Sequence, residues 1–128
     1  MAMAPCRVLV VDDQEDIRAM LLEFLSGVGF RAAAAADAAA ARRAAARERF
    51  DVAVIDAVLR GEPGLDLARE FAGQGVAVVM MSGHFAALAQ LRALGIPALG
   101  KPFRLAELRR AILAARAAEA VGGAALGA

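Results

Sequence analysis

Short apolar runs alternate with segments of helical periodicity along most of this chain. The runs predict five strands, over residues 7–11, 30–35, 51–55, 76–81 and 97–100. The first, third and fourth runs are continuous rather than alternating, as in strands that are buried on both faces of a sheet. The second run is nearly all alanine, which has no strand preference, so Phe30 is its only strong marker.

Apolar residues at helical spacing predict a helix after each of these strands. The predicted helices cover residues 17–28, 38–49, 65–72, 85–94 and 104–120. Glycines follow the first, third and fourth of them as stop signals. Asp37 is placed to cap the second helix, and we expect its Arg42, Arg43 and Arg47 to face water.

This alternation of strand and helix predicts an α/β domain with a parallel sheet. Right-handed crossover helices would cover both faces of the sheet. A chain of 128 residues is long enough for one such domain. We expect residues 6–120 to form it, with residues 1–5 as an N-terminal tail. Residues 121–128, rich in Gly and Ala, are expected to be a flexible tail or the start of a linker.

Charge and residue types exclude several classes of function. The net charge is +1, from 15 basic and 14 acidic residues, so no strong field favours nucleic acid or an anionic membrane. The chain lacks a signal peptide pattern and an apolar run of about 18 residues, which predicts a cytoplasmic protein with no membrane span. Cys6 is the only cysteine and His84 the only histidine, which excludes an internal disulfide and a Cys/His zinc site within one chain.

Polar residues follow four of the five predicted strands. They are the pair Asp12 and Asp13, then Asp56, Ser82 and Lys101. The carboxyl ends of parallel strands meet at one edge of the sheet, where ligands bind in such folds. Three carboxylates, a hydroxyl and an ammonium suit a divalent cation together with a phosphoryl group.

Several of these residues also have a simpler interpretation. A lone carboxylate at Asp56 could be a loop cap. Asp13 and the acidic residues after it would favour the start of the first helix by capping and by the helix dipole. Carboxylates placed beside Asp56 would repel one another unless a cation such as Mg²⁺ bridged them. Ser82 with Gly83 is an ordinary turn signal, and its value comes from its position at a strand end.

Together these residues resemble the receiver domain of two-component response regulators, over about residues 6–120. The matching set is Val8 to Val11 with Asp12 and Asp13, Asp56 with Gly64 eight residues later, Ser82 with Gly83, and Lys101 with Pro102 and Phe103. The resemblance implies a flavodoxin-like, doubly wound (βα)5 three-layer sandwich. Its parallel sheet would have the strand order 2-1-3-4-5.

The resemblance also implies a role for each acidic residue. Asp56 would be the phosphoacceptor. Asp13 and Asp56 would bind Mg²⁺ together with the backbone carbonyl of Val58, and Asp12 would assist through water.

Two further residues of the resemblance would hold the phosphoryl group. Ser82 would bind it and Lys101 would neutralise its charge. Receivers of this family also tend to have a cis peptide before the proline that follows the lysine, which is Pro102 in this chain.

Three positions modulate this picture. Ala98 lies three residues before Lys101, where many receivers have Tyr or Phe, so we do not expect an aromatic rotamer switch. Arg60 lies four residues after Asp56, where proline is frequent in the family. His84 is either a polar residue that opens the fourth helix or a group that tunes access of water to the acyl phosphate. Direct catalysis or metal binding by His84 is disfavoured.

The sequence thus predicts a phosphorylation-dependent signalling switch. A histidine kinase or a histidine phosphotransfer protein would phosphorylate Asp56, and the change would alter binding of a downstream protein target or formation of a homodimer. The domain would promote its own phosphorylation and dephosphorylation without turning over an external substrate. The chain ends soon after the fifth predicted helix, so we expect neither an output domain nor direct binding of nucleic acid.

Other classes of protein share parts of this pattern. A phosphatase of the haloacid dehalogenase kind needs an Asp two residues after its nucleophile, where this chain has Val58. A flavin carrier needs Gly, Ser and Thr donors after the first strand, where this chain is acidic. A receiver-like interaction module that works without phosphorylation remains the alternative, as does a receiver cut from a larger regulator or hybrid kinase.

Overall fold

The apolar runs of the chain pair into one parallel sheet. The structure is a computed structural model that describes residues 5–120, so residues 1–4 and 121–128 of the two predicted tails lie outside it. Within the described residues, the strands are β1 (Arg7–Val11), β2 (Arg31–Ala35), β3 (Val52–Asp56), β4 (Ala77–Ser82) and β5 (Ala98–Gly100). The strand order is β2-β1-β3-β4-β5 and all neighbouring strands are parallel, which confirms the predicted topology.

A helix follows each strand and runs back toward the amino ends of the strands. The helices are α1 (Glu15–Gly27), α2 (Ala38–Arg47), α3 (Gly64–Gly73), α4 (Phe85–Ala93) and α5 (Leu105–Ala120). Asp37 caps α2 as predicted, because its carboxylate accepts the N–H of Ala40 at 2.7 Å. Among the described helices, none is both long and apolar enough to cross a membrane.

Two hydrophobic cores lie on opposite faces of the sheet, because successive side chains of a strand alternate between the faces. One core contains Ile55 and Met80 together with Phe71, and it lies under α2, α3 and α4. The other contains Val54 together with Ile112, and it lies under α1 and α5. The central strands are therefore buried on both faces, as their continuous apolar sequences predict.

The alanine-rich strand β2 is the outermost strand on one side of the sheet. It pairs with β1 over its whole length, from Arg7 opposite Arg31 to Val11 opposite Ala35. This pairing outweighs the weak strand preference of alanine. Phe30, which the sequence places in the strand, precedes it instead, because its N–H is taken by the carbonyl of Leu25 at the end of α1.

The second helix is shorter than predicted, and its surface carries an ion-pair network. It ends at Arg47, because Glu48 has an extended backbone, with φ −149° and ψ 157°. Arg43 and Arg47 are exposed, and the side chain of Arg42 is 40% exposed, so all three arginines face water as predicted. Arg42 also forms ion pairs of 2.9 Å with both Glu62 and Glu70, which its sequence position did not predict.

The carboxyl ends of the central strands lie side by side. In the register of the sheet, Asp56 is opposite Met81, and Ser82 is opposite Gly100. Strands β3 and β4 each run one residue further than predicted, so Asp56 and Ser82 are their last residues. The residues that follow β1 and β5 lie beside them, and this carboxyl-terminal edge of the sheet holds the candidate site.

Candidate functional site

Asp12 and Asp13 follow β1 at this edge of the sheet. Asp12 is fully buried, and its N–H still pairs with the sheet through the carbonyl of Ala35 at 3.2 Å. One of its carboxylate oxygens accepts the N–H of Gln14 at 2.9 Å. The side chain of Asp13 is 27% exposed. Gln14 is the N-cap of α1, and Glu15 and Asp16 lie in its first turn, where the helix dipole favours acidic side chains.

Asp56 is the last residue of β3 and is only 8% exposed. Its Oδ2 lies 2.6 Å from the ammonium of Lys101, and its Oδ1 accepts the N–H of Val58 at 2.9 Å. Each carboxylate oxygen therefore has a donor, and the two bonds hold the group in one orientation at the edge of the sheet.

Lys101 directly follows β5, and its ammonium lies between two carboxylates. It is 2.6 Å from Asp56 and 3.0 Å from Asp12. The N–H of Lys101 donates to the carbonyl of Ser82 at 2.8 Å, which fixes the start of the side chain beside β4. The peptide between Lys101 and Pro102 is cis, as the resemblance implied.

Burial and ion pairing act in opposite directions on these two groups. Burial raises the pKa of Asp56, and the hydrogen bonds from Lys101 and Val58, which favour the charged form, offset only part of that rise. Burial by itself would lower the pKa of Lys101, but its bonds to Asp56 and Asp12 outweigh burial and raise that pKa. Lys101 is therefore a cation at neutral pH.

The three carboxylates form a donor set that fits a small divalent cation. Oxygen atoms of Asp12, Asp13 and Asp56 all lie within 4.8 Å of one another. The ammonium of Lys101 pairs with Asp12 and Asp56 but not with Asp13. Hard oxygen ligands at an open edge suit Mg²⁺, and a bound cation would relieve the remaining repulsion.

Ser82 and His84 lie on the other side of Asp56, at the end of β4. Ser82 is buried, and its hydroxyl oxygen accepts the N–H of His84 at 3.1 Å, a bond that does not use the hydroxyl hydrogen. His84 is the exposed N-cap residue of α4 and makes no capping bond with its side chain. This position fits a residue that opens the helix, and an influence on water stays a prediction.

The loop between β3 and α3 is held at both ends. Val58 pairs with Pro63 in an antiparallel bridge, and the N–H of Gly64 donates to the carbonyl of Ala57 at 3.0 Å. A side chain on Gly64 would overlap the backbone oxygen of Asp56. This close approach explains why a glycine stands eight residues after Asp56. It also positions Val58. The binding of a cation by the carbonyl of Val58 stays a prediction.

The position of the Arg60 side chain in the site could not be predicted from the sequence. Its exposed guanidinium lies at the rim, with Nε 3.6 Å from Oδ2 of Asp13. The sequence marks Arg60 only as a departure from a family pattern, because a loop residue carries no periodic signal for where its side chain lies.

Ala98 is the first residue of β5 and pairs with Met80 of β4. Its small side chain is partly buried against the core under α4. Two residues later, a Cβ on Gly100 would lie 2.9 Å from the side chain of Leu88, so α4 covers the end of β5 closely. No aromatic ring is available at position 98 to move between this core and solvent.

A parallel sheet of order 2-1-3-4-5, with acidic residues and a lysine at its carboxyl edge, defines a CheY-like flavodoxin fold. The chain belongs to the response regulator receiver domain family, whose model matches residues 8–113. The resemblance inferred from the strand-end residues is thereby confirmed, and the domain is a signalling receiver of the two-component type.

Several curated proteins are similar over part of the chain. The protein PetR of Rhodobacter capsulatus is 36% identical over 70 residues, which cover 55% of this chain and 30% of PetR. The regulatory protein VirG of Rhizobium rhizogenes is 35% identical over 77 residues, covering 59% and 32%. The DNA-binding response regulator MtrA of Mycolicibacterium paratuberculosis is 36% identical over 77 residues, covering 59% and 34%. The matched region thus spans about a third of each relative's length.

Solved structures match nearly the whole chain. A chain of NtrX from Brucella abortus is 30% identical, with a TM-score of 0.78 over 93% of this chain and 30% of that one. Chemotaxis protein CheY4 of Vibrio cholerae is 26% identical, with a TM-score of 0.77 over 88% of this chain and 99% of that one. A CheY-like receiver of Methanospirillum hungatei, at 22% identity and a TM-score of 0.80, covers 94% of this chain and 100% of its own and supports the fold.

Proposed function

We propose that this receiver domain is a switch that accepts a phosphoryl group on Asp56. The observation that carries the proposal is the surroundings of Asp56: an ammonium 2.6 Å away, and two further carboxylates whose oxygens lie within 4.8 Å. The donor would be a phosphohistidine of a histidine kinase or histidine phosphotransfer protein. Residues 6–120 would be the functional unit, acting in the cytoplasm.

In the transfer step, a carboxylate oxygen of Asp56 attacks phosphorus. The new O–P bond forms as the N–P bond of the donor breaks, and the donor imidazole keeps the electron pair and takes a proton from water. The N–H of Val58, 2.9 Å from Oδ1, holds the carboxylate in place during the attack. Catalysis of this kind depends on positioning and electrostatics.

Lys101 and Ser82 would receive the transferred group. The ammonium of Lys101, already placed against Oδ2 of Asp56, would pair with a phosphoryl oxygen, because a charge-assisted bond to phosphate is strong. The hydroxyl of Ser82 would donate to another phosphoryl oxygen. Asp12, Asp13 and Asp56 would hold Mg²⁺ together with the carbonyl of Val58, and the bound cation would offset the negative charge between donor and acceptor.

The output of the switch would be binding rather than turnover of an external substrate. New bonds from Ser82 and Lys101 to the phosphoryl group would favour a different arrangement of the segments that carry them. The segment after Ser82 leads directly into α4, so the change would reach the surface chiefly there and alter binding of a protein target or of a second copy. Later hydrolysis of the acyl phosphate by water would reset the switch.

Intact mass spectrometry tests the acceptor. Wild type treated with a small phosphodonor and Mg²⁺ should gain the mass of one phosphoryl group, whereas Asp56→Asn should gain none. Asp66→Asn is the matched control, because Asp66 is an exposed carboxylate outside the cluster and should leave the gain intact. Equal modification of Asp56→Asn would remove Asp56 from the role, and no modification of any variant would favour a module that works without phosphorylation.

A further inference from the structure

The charges of the site divide into two parts. Lys101 pairs with Asp12 and Asp56 on the inner side, at 3.0 Å and 2.6 Å. Asp13 lies at the rim, and among the described residues its ion pair is with Arg60, at 3.6 Å. Asp13, which Lys101 does not contact, is therefore paired with a second positively charged side chain, that of Arg60.

The position of Arg60 makes this second pair different from the first. Lys101 is half-buried and fixed between two carboxylates, whereas the side chain of Arg60 is 85% exposed. An exposed guanidinium keeps its full positive charge and moves away into water at little cost. Arg60 can therefore stabilise Asp13 when no other cation is bound without closing the site permanently.

We propose that Arg60 is the resident counter-ion of Asp13 and competes with a divalent cation for that carboxylate. This inference rests on the proposed function, because it takes the cluster of Asp12, Asp13 and Asp56 as the cation site. A dication that binds Asp13 replaces the ion pair and also meets repulsion from the guanidinium. Arg60 consequently lowers the affinity of the site and sets the Mg²⁺ concentration at which the domain becomes competent for phosphorylation.

The size of the effect follows from charge and screening. Two charges a few ångströms apart at an exposed rim interact weakly, and the dication doubles that interaction. Loss of the guanidinium should therefore tighten Mg²⁺ binding by about three- to tenfold at low ionic strength. The gain should shrink as salt is added, since exposed charges are screened.

The test is titration of the whole chain with Mg²⁺, with binding measured by calorimetry and by the amide NMR shifts of the site. Arg60→Gln should lower the Kd by about three- to tenfold. Arg60→Glu should lower it further, and Arg60→Lys should stay close to wild type. Arg47→Gln is the matched control: it removes the same charge from an exposed arginine at the end of α2, beside a surface cavity at the opposite edge of the sheet, and should leave the Kd unchanged.

The outcomes separate this inference from the proposal on which it rests. If Arg60→Gln and Arg60→Glu bind Mg²⁺ no more tightly than wild type, Arg60 does not compete and the inference is wrong, while the cation site stands. Asp13→Asn should lose most of the Mg²⁺ binding, both in wild type and in Arg60→Gln. If wild type and all variants bind no Mg²⁺, or if Asp13→Asn binds as well as wild type, then both the cation site and the role of Arg60 are overturned.

Discussion

At the scale of single residues, the site depends on a backbone approach as much as on its charges. Gly64 packs directly against the backbone oxygen of Asp56, and its N–H bonds to Ala57 at 3.0 Å. These contacts fix the turn that follows β3, and the turn in turn supplies the N–H of Val58 to the Asp56 carboxylate. The space at Gly64 is therefore part of how Asp56 is oriented.

Gly64→Ala should destabilise the domain by about 1–3 kcal/mol, because the added methyl group overlaps the backbone oxygen of Asp56 and forces a shift of the loop. Urea unfolding measures the change. Gly73→Ala is the matched control, since Gly73 is the last residue of the same helix and has open space around it. Equal effects of the two substitutions would show that the close approach at Gly64 is not a constraint.

Much of the site at this scale was predictable from sequence. Asp12, Asp56, Ser82 and Lys101 each end an apolar run, and parallel strands bring such ends together, which the structure bears out in the contacts of Lys101 with Asp12 and Asp56. The partner of Asp13 was not predictable. Arg60 lies in a loop without periodicity, so its direction is set by tertiary structure alone.

At the scale of elements, an ion-pair network joins α2, α3 and the loop between β3 and α3. Arg42 on α2 donates its Nε to both carboxylate oxygens of Glu70, at 3.1 Å and 2.9 Å. Its two terminal nitrogens donate to the two oxygens of Glu62, each at 2.9 Å. This paired geometry is favourable for arginine and ties the loop that carries Val58 and Arg60 to two helices.

Arg42→Gln should lower stability at neutral pH, and the loss should disappear in acid. Hydrogen bonds from Arg42 lower the pKa of Glu62 below the ordinary glutamate value. The stability that this adds is complete above the ordinary pKa of glutamate and is lost as the pH falls through the lowered pKa. Urea unfolding of wild type and Arg42→Gln at neutral and acidic pH measures the difference.

Arg43→Gln serves as the control for that experiment, because Arg43 is the exposed neighbour of Arg42 on the same helix. It should change stability little at either pH. A difference between wild type and Arg42→Gln that stays constant from neutral to acidic pH would contradict a contribution from the Glu62 carboxylate.

The positions of the strands and helices could be predicted well from the sequence, whereas the side-chain interactions between them could not. Hydrophobic periodicity gave all five strands and helices of the described residues to within a few positions, because burial imposes that period. The alanine run of β2 is too weak a signal by itself and forms a strand through its pairing with β1. Arg42 contacts residues 20 and 28 positions away, separations that no local pattern encodes.

At the scale of the whole molecule, the site lies next to the least anchored helix. Among the described residues of α4 only Leu91 is buried, and Phe85 at its start is 88% exposed. The helix begins three residues after Ser82, whose hydroxyl oxygen accepts the N–H of the N-cap residue His84. We therefore predict that a change at Ser82 reaches α4 directly, without an aromatic ring at Ala98.

Beryllofluoride with Mg²⁺, as a mimic of the phosphoryl group, should perturb a limited set of amides. The largest shifts should lie around Asp56, residues 82–85 and Lys101, because a ligand shifts conformers only through contacts that differ between them. Shifts on the outer faces of β5 and α5 should be smaller. NMR shift maps of wild type and Asp56→Asn measure this, and the variant should show no such pattern. Large concerted shifts from Ala98 across the 105–112 face would show that coupling does not need a ring there.

The central claim is that Asp56 carries the phosphoryl group, and locating the acyl phosphate tests it most directly. Borohydride reduces an aspartyl phosphate to homoserine, a change that fragmentation mass spectrometry assigns to one residue. After treatment with a phosphodonor and Mg²⁺ and then with borohydride, wild type should contain homoserine at position 56 and keep aspartate at Asp12 and Asp13. Homoserine at Asp12 or Asp13, or unreduced Asp56 in protein that has gained a phosphoryl group, would contradict the account.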